Sequence, residues 1–234
     1  MTTSNQSIAR FAGIGYLIIF ITGIFSNFFV VEGLIVLGDA ASTTANIRAN
    51  VLLFRTGIFS FILMVIFDVL LAWALYLLLK PVNNRLSLLS GWLRLVNSAI
   101  FAIALYHLLH ILNILQDEAY AQIFSTEHLS GLVLLSLSAF NNGWLLGLVF
   151  FGLHLLVMGC LIYKSGFIPR VIGILLIIAG IGYLADSFAN FILTNYNDYK
   201  DIFMMIVVLP GVVGELSLTF WLLLKNKTFA ETEQ

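Results

Sequence analysis

Cysteine, proline and charge are all scarce in this chain: its 234 residues include one cysteine, three prolines and only 10% charged side chains. A lone thiol, Cys160, excludes an intrachain disulfide framework, and lying inside an apolar run it reads as packing. Little charge leaves a water-soluble globule of this size with no means of covering its surface. The sequence has no CxxC pair, no P-loop, no GxGxxG following a strand and no basic stripe, which sets aside nucleotide-phosphate and nucleic-acid binding. What is present is apolar. With 61% hydrophobic residues and a mean hydropathy of +1.03, the chain is an integral membrane protein.

The run from Asn142 to Asn190 organises the rest. Trp144–Tyr163 and Val171–Leu184 are each about as long as a helix crossing roughly 30 Å of hydrocarbon, and the joint from Lys164 to Arg170 carries two positive charges and a helix-starting proline. That is a transmembrane hairpin with its turn on the cytoplasmic side. Extending the pattern gives a single all-α transmembrane domain over residues 1–234, with spans near 11–37, 51–79, 86–116, 129–163, 168–193 and 202–224 and a soluble tail at 225–234. Met1–Arg10 reads as a polar lead-in to an uncleaved first span. Asp39–Asn50 has the length of a short surface helix. Residues 129–163 are too many for one straight crossing and too few for two, so one long helix, or a short outer helix, bent near Asn141-Asn142-Gly143 is expected. Six spans with both termini inside place Arg10, Lys80, Arg85, Lys164, Arg170, Lys225 and Lys227 on the cytoplasmic face, leaving Arg48 and Lys200 outside and Arg55 near that boundary.

Polar groups inside the spans sort by depth. At about 1.5 Å per residue, Asp68, Arg94, His154 and Glu215 all fall roughly 13–18 Å from the inner boundary, on four different spans. An isolated charge at that depth costs at least about 2.5–3.5 kcal/mol, so the four are expected to face one another, with Asp68–Arg94 the natural salt bridge. An outer layer comprises Arg55, His107, His110, Asn141, Asn142, Asp186 and Asn190. His107 and His110 share a helix face, as do Gly182, Asp186 and Asn190. Gly143, Gly147 and His154 fall in one angular window, which would let a neighbouring backbone approach His154. Pro210 frees the carbonyl of Ile206 from its helical bond, just above Glu215. The bland readings stand beside these: Asp68–Arg94 as a packing clamp, Arg55 snorkelling to headgroups, and the two histidines bonded to backbone. Zinc on His107, His110 and Asp186 is the alternative to the last.

The runs Phe54-Arg55 with Asp68, Ala72-Trp73-Ala74-Leu75-Tyr76, Lys80-Pro81-Val82, Trp92-Leu93-Arg94-Leu95-Val96, Phe151-Gly152-Leu153-His154-Leu155 and Ser165–Arg170 followed by Gly173-Ile174-Leu175-Leu176 resemble the multi-pass bacterial and archaeal membrane proteins collected as domain of unknown function 4386. The resemblance covers nearly the whole chain and implies a prokaryotic cytoplasmic-membrane protein. Arg55, Asp68, Arg94 and His154 coincide with the family pattern. It transfers no activity, because the family has none assigned.

Three functions compete. The first is a polar intramembrane pocket of Asp68, Arg94, His154 and Glu215 that binds a lipid headgroup or small amphipathic molecule, with no cofactor, in a receptor, carrier or accessory subunit. The second is an intramembrane hydrolase with zinc on His107, His110 and Asp186. The third is a proton-coupled transporter built on Glu215 and His154, against which the missing internal repeat counts. The balance leans away from an enzyme. Apolar outer faces read alike toward membrane lipids, a second copy or another membrane protein.

Overall fold

A computed structural model describes residues 2–224; the tail, with Lys225 and Lys227, lies outside the described residues. Helix α1 comprises Thr2–Ile24 and continues through a π-helical stretch, Phe25–Val31, to Glu32–Leu34. It is followed by α2 (Ala40–Ala49), α3 (Val51–Leu79), α4 (Asn84–Gln116), α5 (Glu118–Ile123), α6 (Thr126–Ser165), α7 (Arg170–Ile192) and α8 (Lys200–Leu224). Among the described residues there is no strand. Six segments are long and apolar enough to cross a membrane: Asn5–Leu34, Val51–Leu79, Asn84–Gln116, Thr126–Ser165, Arg170–Ile192 and Lys200–Leu224. The protein is an all-α membrane bundle with the six spans expected.

Local chemistry sets the ends of these helices. Pro81 stops α3, and Asn83 starts α4 by accepting the Leu86 N–H on its side chain at 3.0 Å. Ser125 does the same for α6, accepting the His128 N–H. Asp39 caps α2 by accepting from the Ser42 N–H and hydroxyl, which holds its carboxyl below the usual carboxylate range. Gly166, at φ 75°, makes the turn between α6 and α7 in a backbone region that side-chain-bearing residues rarely occupy.

Several expectations need correction. The first candidate span starts earlier than expected, at Asn5 within a helix that begins at Thr2, and its packed stripe of Ala9, Ala12 and Tyr16 reaches back into the polar first ten residues. The first span also ends early, at Leu34, and its last turns wind as a π-helix where Ser26 donates to the Gly57 carbonyl at 2.9 Å. Of the two alternatives for residues 129–163, the single long helix holds, since α6 is one helix of 40 residues. Cys160 is exposed on α6, not packed.

Contacts group the described residues into two compact units, one of residues 2–18, 67–98 and 145–224, the other of residues 19–66 and 99–144. In the second unit, Trp144 stacks flat on Phe101 with ring centres 3.9 Å apart, and Phe61 and Phe140 close around it. Val30 sits on Gly57, and Ala104 on Gly143.

In the first unit α6, α7 and α8 pack backbone to backbone. A Cβ added at Gly159 would lie 2.7 Å from the Gly173 carbonyl oxygen, and one at Gly173 would lie 2.7 Å from that of Gly159. Seven residues along, Gly152 and Gly180 repeat the arrangement. Lipid tails are as apolar as leucine, so helices in a bilayer gain by close van der Waals approach, and small residues permit it. Gly182 receives the Ile206 carbonyl of α8, the one that Pro210 deprives of its helical partner.

Gly159→Ala should therefore lower the thermal midpoint of the detergent-solubilised protein by an amount equivalent to about 1–3 kcal/mol. Gly131→Ala is the control, since a Cβ there meets nothing within 4 Å. Equal midpoints for the two variants would contradict the close packing.

Candidate functional site

The most polar place in the first unit is built around Arg94, which is 1% exposed. On α4 the polar side chains Ser87, Ser90, Arg94, Asn97 and Ser98 recur at helical spacing, so one stripe of an otherwise apolar helix carries them to the interior. Asp68 of α3 meets that stripe. Its Oδ1 pairs with Arg94 at 2.5 Å, and its Oδ2 accepts from Ser98 Oγ at 2.6 Å and from Asn97 Nδ2 at 3.2 Å. A carboxylate so supplied is satisfied on both oxygens.

The other side of the guanidinium faces α6. Its Nη1 lies 3.0 Å from His154 Nε2. Because a guanidinium can only donate, that ring nitrogen must accept, and the histidine is the neutral tautomer with its proton on Nδ1. Nδ1 in turn donates to the Ser90 carbonyl at 2.9 Å. The rings of Tyr16 on α1 and Phe151 on α6 lie 5.3 and 5.5 Å from the guanidinium carbon, adding cation–π attraction of about 0.5–2 kcal/mol each. The Tyr16 hydroxyl donates to the sulfur of Met158, at 3.7 Å.

Glu215 of α8 joins this group electrostatically. It is close enough for its charge to act on Arg94, Asp68, Tyr16 and Tyr183. Tyr183 of α7 packs over Gly211, one turn before Glu215. Of the four residues expected to face one another, Asp68, Arg94 and His154 meet in direct contact, and Glu215 lies within electrostatic range of Asp68 and Arg94. Ser90, Asn97, Ser98 and Tyr16 are additions that the sequence reading missed; the stripe on α4 was the available signal for the first three, while Tyr16 had none.

The network is incomplete. Arg94 Nε, Asn97 Oδ1 and Glu215 Oε1 are buried without a hydrogen-bond partner in the structure. Native interiors pair most such groups with protein or ordered water. The unmatched set comprises one donor from Arg94 and two acceptors, from Asn97 and Glu215.

The outer layer divides. In the first unit, Asp186 accepts from the Tyr196 hydroxyl at 2.6 Å, and Asn190 bonds the same tyrosine. Burial first, and Asp186 next, push the Tyr196 phenol up to about 12. In the second unit, His110 Nδ1 pairs with Ser136 Oγ at 3.3 Å. Asn141 and Asn142 are exposed. Arg55 donates to Gln116 Oε1. Among the described residues no three His, Cys, Asp or Glu side chains stand together as a metal site, so His107, His110 and Asp186 are not assembled into one. The glycine beside His154 that admits a neighbouring backbone is Gly152, against Gly180, while Gly143 packs on Ala104.

Removing one partner of the buried pair, by Arg94→Met or Asp68→Leu, should cost about 3–5 kcal/mol, because the survivor remains charged in an apolar interior. The double variant should recover part of that loss, and not all of it, since Asn97 and Ser98 also lose their acceptor. Chemical denaturation of the four proteins of this cycle in mixed micelles measures the coupling; strict additivity would show the pair to be energetically inert.

The family model Domain of unknown function (DUF4386) matches residues 11–226. An uncharacterized protein of Archaeoglobus fulgidus is 34% identical over 175 residues, covering 75% of this chain and 85% of its own length. No solved structure gives a significant match. The chain, a multi-pass membrane protein, therefore belongs to the domain of unknown function 4386 family.

Proposed function

We propose that the cluster around Arg94 holds the polar end of a lipid headgroup or small amphipathic molecule, making the protein a receptor, carrier or accessory subunit. One observation carries this reading: Arg94 Nε, Asn97 Oδ1 and Glu215 Oε1 are buried with no partner, in one charged neighbourhood. A molecule offering an acceptor to Arg94 and donor hydroxyl or ammonium hydrogens to Asn97 and Glu215 would complete all three. Asp68 and His154 keep the guanidinium fixed, which lowers the ordering cost of such binding.

Glu215→Gln is the informative variant. Glu215 lies outside the Asp68–Arg94–His154 bonds, so the fold should survive its neutralisation. Protein purified in mild detergent and analysed by native mass spectrometry should carry a bound amphiphile, with occupancy falling severalfold in Glu215→Gln at an unchanged thermal midpoint. A wild-type interior filled only by water, or full occupancy in the variant, would sink the proposal.

We also propose that the protein lies in the cytoplasmic membrane of a prokaryote with its basic turns inside. Lys80, Arg85, Lys164 and Arg170 flank the α3–α4 and α6–α7 turns, which supports this orientation. In a Cys160→Ser background, an impermeant maleimide applied to intact cells should label Ala41→Cys on α2 and spare Val82→Cys; the reverse pattern would invert the topology.

A further inference from the structure

The second unit contains a cavity of about 370 Å³, lined by Arg55, Leu109, Leu112, Asn113, Gln116 and Asp117. We propose that it is a separate binding site for the head group of an aminophospholipid, with the phosphate on Arg55 and the ammonium on Asp117.

Depth is the first argument. Helix α3 has 29 residues, about 43 Å at 1.5 Å each, against roughly 30 Å of hydrocarbon, so each end projects by about 6 Å. Arg55 is the fifth residue of that helix, which puts it at the boundary between acyl chains and head groups. Gln116 is the last residue of α4, and Asp117 begins the following turn. The cavity therefore opens where lipid phosphates and amines lie.

The lining is the second. Arg55 is exposed, and Gln116 Oε1 takes one of its five donors, which holds the fork in place and leaves the remainder for a bidentate contact with phosphate oxygens. Asp117 Oδ1 accepts from the Ala119 N–H at 2.9 Å, and among the described residues its other oxygen has no hydrogen bond. Opposite charges in a single cavity suit a ligand that carries both. A primary ammonium can donate to the carboxylate, whereas the quaternary ammonium of a choline head group cannot, and a glycerol head group has no cation. Leu109 and Leu112 give the cavity an apolar wall along α4, suited to the glycerol and first acyl carbons of a lipid and of no use to a free phosphoamine.

The test is a titration of full-length protein in detergent with phosphatidylethanolamine, phosphatidylcholine and phosphatidylglycerol, read by native mass spectrometry. The ethanolamine lipid should bind about tenfold more tightly than the other two, a difference that corresponds to one good charged hydrogen bond. Arg55→Gln should lower binding of all three. Asp117→Asn, which can still cap the turn, should abolish the preference for ethanolamine over choline and leave choline binding unchanged. Equal affinities for the three lipids, or an unaltered profile in either variant, would overturn the proposal. Competition by soluble phosphoethanolamine at lipid-like affinity would also overturn it, by moving the source from lipid to solute. Because the readout is head-group preference among added lipids, and not a co-purifying molecule, this site and the one at Arg94 stand or fall separately.

Discussion

A guanidinium sealed in the interior of a membrane protein has to be answered on every side, and the first unit is arranged around answering Arg94. Its charge is matched by Asp68, its second amino group by the lone pair of His154, and its faces by the rings of Tyr16 and Phe151. Those partners come from α1, α3 and α6. Each contact fixes the rotation of a helix about its own axis, which apolar faces alone do poorly in lipid, where leucine is as content against an acyl chain as against another leucine. Ser90, Asn97 and Ser98 follow from the same requirement, since a carboxylate and an imidazole placed beside Arg94 must have their own remaining atoms satisfied.

The helices that do not touch Arg94 by a hydrogen bond are held by proximity. The reciprocal fit of Gly152 with Gly180 and of Gly159 with Gly173 brings the backbones of α6 and α7 into contact over two turns, and Gly182 does the same for the Ile206 carbonyl of α8. Pro210 and Gly182 thus act as a pair. Proline leaves a carbonyl without its N–H, and glycine gives that carbonyl a close neighbour where a side chain would have pushed α8 away. Glu215 lies five residues beyond Pro210 on the same helix, so the position of the one carboxylate outside the clamp depends on this packing.

Much of the fold was legible because lipid makes the rules severe. Span number follows from run length, and the meeting of Asp68, Arg94, His154 and Glu215 follows from the cost of exposing any of them at mid-depth. What escaped the sequence was governed by weaker terms. Thr2–Arg10 is polar and still helical, since a helix needs no apolar residue to continue once started. The π-helical turns of Phe25–Val31 depend on Ser26 finding the Gly57 carbonyl, a partner 31 residues away. Asn141 and Asn142 lie on the exposed side of α6 although asparagine in a span argues for the interior, and no local pattern distinguishes the two cases. Serines on α4 were overlooked because each is unremarkable alone; only as a stripe with Arg94 do they have meaning.

Whether such an interior exists for binding or merely for architecture can be argued from energetics. Replacing a buried ion pair by well-packed apolar side chains is often neutral or stabilising, so the pairing of Asp68 with Arg94 is by itself weak evidence for a purely architectural role. A clamp with no other purpose would at least be closed, with each polar atom matched inside the protein. Here Asp68 is closed, and so is His154, while Arg94 Nε, Asn97 Oδ1 and Glu215 Oε1 are not. Each unmatched buried group costs about 1–3 kcal/mol, which is a large fraction of the stability of any single domain. Arg94 Nε, Asn97 Oδ1 and Glu215 Oε1 leave one donor and two acceptors unmatched around one charge, and it is this imbalance, not the ion pair, on which the proposed binding of a polar group rests.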